Sequence, residues 1–118
     1  QTTLSSANET WGFFGTVRHD AEPEEAWPLA MEAIADATGC PDIAVRAFLD
    51  SVHGRHFADS VSNGMYHGLT LPAAIDAAVA QWMDWKIDRR TERDLGIPRG
   101  LPYLTGFVTH YEILGYTE

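Results

Sequence analysis

Apolar residues recur along most of the chain at the three-and-four spacing that lines one face of a helix. Trp27, Ala30, Met31 and Ile34 predict a first helix within Pro23 to Thr38, with Gly39 as its C-cap. Pro28 is compatible with the first turn only, which moves the expected start towards Ala26. Val45, Phe48, Leu49 and Val52 predict a second helix opened by Pro41 and ended by Gly54. Phe57, Ala58 and Val61 predict a short third one from about Arg55 to Asn63, where Asn63-Gly64 reads as a stop. The fourth pattern is the clearest. Thr70 is the N-cap, Pro72 lies in the first turn, and Ile75, Ala78, Val79, Trp82 and Met83 form a broad stripe. Ala73, Ala74, Ala77 and Ala80 give it a second, smooth face, and the helix is expected to run to Arg93, before Gly96. In the tail, Leu104, Phe107, Val108, Tyr111 and Leu114 fit a helix started by Pro102, although Thr105, Val108, Thr109, Tyr111 and Ile113 also suit a strand. Helix is the expectation. The fold class is therefore all-α: a compact bundle of four to five helices over residues 11–118, preceded by a flexible arm at 1–10.

Composition narrows this picture. A length of 118 residues with 45% hydrophobic content supports one folded domain and excludes disorder. A single cysteine, Cys40, excludes an internal disulfide. The first ten residues lack the apolar run of a signal peptide, and no long apolar stretch predicts a membrane span. A cytoplasmic location without membrane partners is expected. The net charge of −9 is polarised: residues 19–59 hold nine acids against Arg46 and Arg55, whereas residues 84–99 hold five bases against four acids. Nucleic acid binding needs several unopposed cations, so the balance argues against it.

Chemistry-bearing residues are few. His53, His56 and Asp59, at i, i+3 and i+6, with His67 as a possible fourth, are ligand or metal candidates, because imidazole and carboxylate suit a divalent ion. Gly54 is expected to break the helix between the two histidines, and the His-Glu-x-x-His signature is absent. The plainer expectation is that the imidazoles cap helix-end carbonyls and that Arg55 pairs with Asp50 or Asp59. Cys40, before Pro41, stands where a helix start could activate a thiol, but reads as a small packed residue. No Gly-x-Ser-x-Gly elbow and no phosphate loop occur, so no catalytic motif is found and no cofactor is expected. The segment Arg90–Gly100 imitates the turn of a helix-turn-helix, yet the helix that would follow from near Pro102 offers only Tyr103, Thr105 and His110 for base reading. Arg99 is expected to anchor this loop to an acid. Aromatic residues are in excess, and Trp11, Phe13, Phe14, Trp82 and Trp85 are interface candidates.

Four stretches carry a resemblance: Glu25–Met31 (EAWPLAM), His53–Asp59 (HGRHFAD), the fourth helix from Ala73–Ala78 to Arg89–Thr91, and Gly96–Gly106 (GIPRGLPYLTG). Together they resemble small, functionally uncharacterised proteins of proteobacterial plasmids and integrative elements, over about residues 11–114. The resemblance implies a bacterial accessory protein and transfers no catalytic residue. The leading expectation is a non-enzymatic interaction module that binds a protein partner or itself, as a homodimer or other homo-oligomer. The alternatives are a metal- or ligand-binding protein centred on His53, His56 and Asp59, and an acidic decoy of a DNA-binding site. The decoy needs the acids of residues 20–59 on one face.

Overall fold

The computed structural model describes the backbone of residues 23–115, with side chains from Ala26 onward. The expected arm at 1–10 and the aromatic segment holding Trp11, Phe13 and Phe14 lie outside these residues. The described part holds six helices and no extended strand: α1 (Pro23–Thr38), α2 (Asp42–Asp50), α3 (Val52–Tyr66), α4 (Leu71–Asp84), α5 (Arg89–Leu95) and α6 (Tyr103–Ile113). α4 packs against α1, α3 and α6, and α2 packs against α1, α3 and α6, so these two helices hold the layers together.

The core follows the periodic positions. Ile34, Val45, Phe48, Leu49, Phe57, Val61, Ile75 and Leu104 are all fully buried. The tail is helix, not strand. α1 begins at Pro23 rather than near Ala26, so Pro28 falls inside it. Thr70 caps α4 as expected, its hydroxyl accepting from the Ala73 amide at 3.4 Å.

Two boundaries around α3 also differ from the sequence expectation. The second helix ends at Ser51, not Gly54. The Ser51 backbone is extended, and its hydroxyl donates to the Phe48 carbonyl while accepting from the Gly54 amide. One side chain thereby closes α2 and opens α3. Gly54 is a helical residue at a close approach, since a Cβ there would overlap the Phe48 and Leu49 carbonyl oxygens. Gly64 likewise does not stop α3. It lets α4 come near, with Ala74 Cβ 3.3 Å from where a Cβ at Gly64 would sit. Ala74 is buried in this contact, but Ala77 and Ala80 face solvent, so the smooth face is only partly used.

The expected long fourth helix is two helices, which raises the count to six among the described residues. At Trp85 the chain becomes extended and pairs with the segment before α6. Ile87 N–H donates to the Leu101 carbonyl and Tyr103 N–H to the Trp85 carbonyl, both at 2.8 Å. This pairing turns Ile87 and Ile97 inward against Gly106, where a Cβ would lie 3.1 and 3.0 Å from their side chains. Burying two isoleucines favours the break over continued helix. α5 then starts at Asp88, whose carboxylate accepts from the Thr91 amide at 2.8 Å, and ends at Gly96 with φ +73°. That amide donation holds the Asp88 carboxyl below its usual pKa.

Candidate functional site

Along α6, Tyr103, Phe107 and Tyr111 are spaced four residues apart and so share one face. Tyr103 and Phe107 stack, with ring centroids 5.5 Å apart and planes at 23°. Trp85, at the end of α4, meets Tyr103 edge-on at 6.2 Å. From the first turn of α3, His53 lays its imidazole flat on Phe107, centroids 3.9 Å apart and planes at 5°. It also lies 6.1 Å from Tyr111, which in turn touches His110 at 5.3 Å. The result is a continuous ladder of rings, Trp85–Tyr103–Phe107–His53–Tyr111, drawn from three helices. Trp85 is 43% exposed; Tyr103, His53 and Tyr111 are half-buried; Phe107 forms the floor. No member of the ladder is a carboxylate.

His53 is electrostatically distinct. Its pKa is lowered, first by burial and then by the neighbouring imidazoles of His110 and His56. The neutral ring is therefore the form this position favours, which suits a flat stack on Phe107.

The expected histidine cluster is only partly assembled. α3 is continuous through Gly54, so His53 and His56 do share a helix. Asp59, however, lies six residues on, about 120° round the helix from His53. Asp59 is exposed, as are His56 and His67. His67 caps the far end of α3, edge-on to Tyr66. Among the described residues no group of three metal-capable side chains comes together. Arg55 is exposed and forms no ion pair among the described residues.

Other candidates are placed differently from the sequence expectation. Trp82 belongs to the core: it is 5% exposed, meets Phe48, Phe57 and Phe107 edge-on, and donates its indole N–H to Ser60 Oγ at 3.2 Å. Cys40 precedes the N-cap of α2, and its Sγ contacts Thr109 Oγ1 at 3.7 Å and the Thr38 carbonyl at 3.9 Å, with no histidine in that set. Arg99 does anchor the loop to an acid, but through its backbone N–H, which donates to Glu92 Oε1 at 2.9 Å. The positions that would read DNA are all half-buried and make contacts within the fold: Tyr103 in the ladder, Thr105 on Met83 Sδ at 3.5 Å, and His110 against Tyr111.

Two further surfaces stand apart from the ladder. Glu32, Asp36 and Asp76 rim a depression between α1 and α4, and Asp42 borders an adjoining one. Asp59 lies exposed on α3, while Asp20, Glu22, Glu24 and Glu25 lie outside the residues whose side chains are described. Between α5 and α6 a shallow apolar cleft of about 180 Å³ is lined by Leu95, Ile97, Leu101 and Ile113 among others.

Sequence reasoning noted the ring excess but missed the ladder. The four-residue spacing of Tyr103, Phe107 and Tyr111 was the available signal; the arrival of His53 was not signalled. No family model matches the chain, and comparison with curated proteins and with solved structures gives no significant match. Among the described residues no helix is long and apolar enough to cross a membrane.

Proposed function

We propose that this chain is a non-enzymatic protein-interaction module that pairs with a second copy of itself through the ring ladder on α6. The carrying observation is the ladder itself: five rings in sequence, partly open to solvent, with no carboxylate among them. Aromatic rings are over-represented in protein interfaces and bury large areas at little entropic cost. A chain of −9 repels its own kind, so the pairing has to gain its free energy from burial of the rings rather than from charge. The acid-rimmed depressions of α1 and α4 are the least suited to such pairing. The resemblance to accessory proteins of plasmids and integrative elements fits an interaction role and is part of this proposal.

Light scattering on the eluting protein tests the reading. The wild-type chain is expected to run as a dimer, and Trp85→Ala with Tyr103→Ala to run as a folded monomer. A strictly monomeric wild type at high concentration sinks the proposal.

A further inference from the structure

Helix α1 presents more apolar surface than its core face uses. Ala26, Ala30 and Ile34 are buried in the core. Trp27, Met31 and Ala35 follow one flank of the helix and Leu29 and Ala33 the other, all half-buried. Each flank floors a depression, of about 450 Å³ towards Asp42 and of about 170 Å³ towards Pro72 and Asp76. Glu32 and Asp36, one turn apart and exposed, border both. The larger depression is thus an apolar groove containing an indole and edged by Glu32, Asp36 and Asp42. No base lines it, and among the described residues none of these carboxylates has an ion-pair partner.

We propose that this groove docks a basic amphipathic helix of a partner protein, one that carries arginine or lysine beside apolar side chains. The surface is separate from the ring ladder, and the proposal does not depend on self-association. Charge selects the occupant. Three carboxylates on a chain of −9 draw a cationic partner at long range and pair with it at contact, whereas a second copy of the same net charge is repelled.

The floor selects its shape. Arginine and lysine lay their methylene stems on apolar surface while the charged heads reach outward. Stems lying over Met31 and Ala35 bring the heads to the carboxylate edge, and the Trp27 face adds attraction for a cation. A wholly apolar partner would strand the carboxylates at the contact, and a wholly hydrophilic one would leave the floor wet.

Isothermal titration of the full chain with a synthetic peptide tests this. The probe is a helix of about 18 residues built from arginine, leucine and alanine, with arginine and leucine along one face; a second peptide scrambles the same composition so that no such face forms. The expected result is one peptide per chain, bound about tenfold more tightly than the scrambled one. Glu32→Gln with Asp36→Asn and Asp42→Asn, all at exposed positions, is expected to weaken binding about tenfold, and Met31→Gln about threefold. Asp59→Asn with Asp84→Asn and Glu112→Gln removes the same charge from exposed positions elsewhere and is expected to weaken it less than about threefold. Equal weakening by the two triple variants means attraction by net charge alone and overturns the proposal. So do an absence of binding, equal binding of the scrambled peptide, and a Met31→Gln chain that binds like the wild type. Binding that appears only after Trp11, Phe13 and Phe14 are replaced by alanine assigns the groove to this chain's own amino-terminal segment, and binding that weakens as the protein is concentrated assigns it to a second copy. Either overturns the partner reading.

Discussion

Ser51 is the residue on which the α2–α3 junction turns. Its hydroxyl serves the last carbonyl side of one helix and the first amides of the next, a double role that alanine cannot fill. Ser51→Ala is expected to cost about 1 kcal/mol, read as a lower midpoint in urea denaturation. Two glycines permit close approaches of unequal rigidity. At Gly54 an added methyl meets backbone carbonyls, and at Gly106 it meets isoleucine side chains. Backbone yields less than a side chain. Gly54→Ala is therefore expected to destabilise more than Gly106→Ala, by about 1–3 kcal/mol against a smaller loss, in paired denaturation curves. His53 contributes a pH dependence of stability separate from association. Its folded pKa lies below the unfolded value, so the unfolded chain takes up the proton first as pH falls. The stability it supplies is complete above about pH 6.5 and is lost as pH falls through the depressed folded value. Denaturation of dilute protein should show this slope, and His53→Phe should flatten it.

At the scale of elements, what the sequence revealed depended on how local the deciding interaction was. α1, the start of α4 and the helical tail were legible because periodic apolar positions and adjacent caps agree there. Thr70 and Pro72 mark a helix start within three residues. The end of α4 was not legible. Trp85 leaves the helix because Tyr103, well over ten residues away, donates to its carbonyl, and Ile87 finds a buried seat with its N–H on the Leu101 carbonyl. Nothing next to Trp85 announces that. Gly54 misled for a related reason: a glycine reads locally as a stop, whereas here it admits the end of α2. The same division applies to the site. His53 and His56 were readable as a pair on spacing alone, but the Phe107 ring that gives His53 its environment comes from a helix more than fifty residues on. Trp82 reads from the sequence both as part of a broad apolar stripe and as an interface candidate, and the structure places it in the core. It joins three helices, and Trp82→Ala is expected to cost about 3–5 kcal/mol in thermal or chemical unfolding, with the Ser60 hydroxyl losing its donor.

For the whole molecule, two kinds of surface stand out among the described residues. Glu32, Asp36, Asp42 and Asp76 rim the depressions beside α1 and α4, while the ladder runs from Trp85 at the end of α4 along α6 to Tyr111. This arrangement makes a prediction about salt. If copies meet at the ladder, moderate salt should strengthen pairing by screening the acid sides, and sedimentation at low and moderate ionic strength reads the change. Pairing through the acid sides and the five bases of residues 84–99 would respond with the opposite sign.

The excursion from Asp88 to Arg99 has a different consequence. α5 buries no residue, yet the two strands of chain at its base are tied by the Ile87–Leu101 and Gly100–Ile87 hydrogen bonds. Such a knot isolates what lies beyond it: α5 can fray and reform without transmitting the opening to α4 or α6. Amide protons within α5 should exchange with solvent orders of magnitude faster than those of Ile87 and Tyr103, a step in protection across a few residues. A protease meeting the native protein would find its first cut there, and the halves would stay joined by the knot.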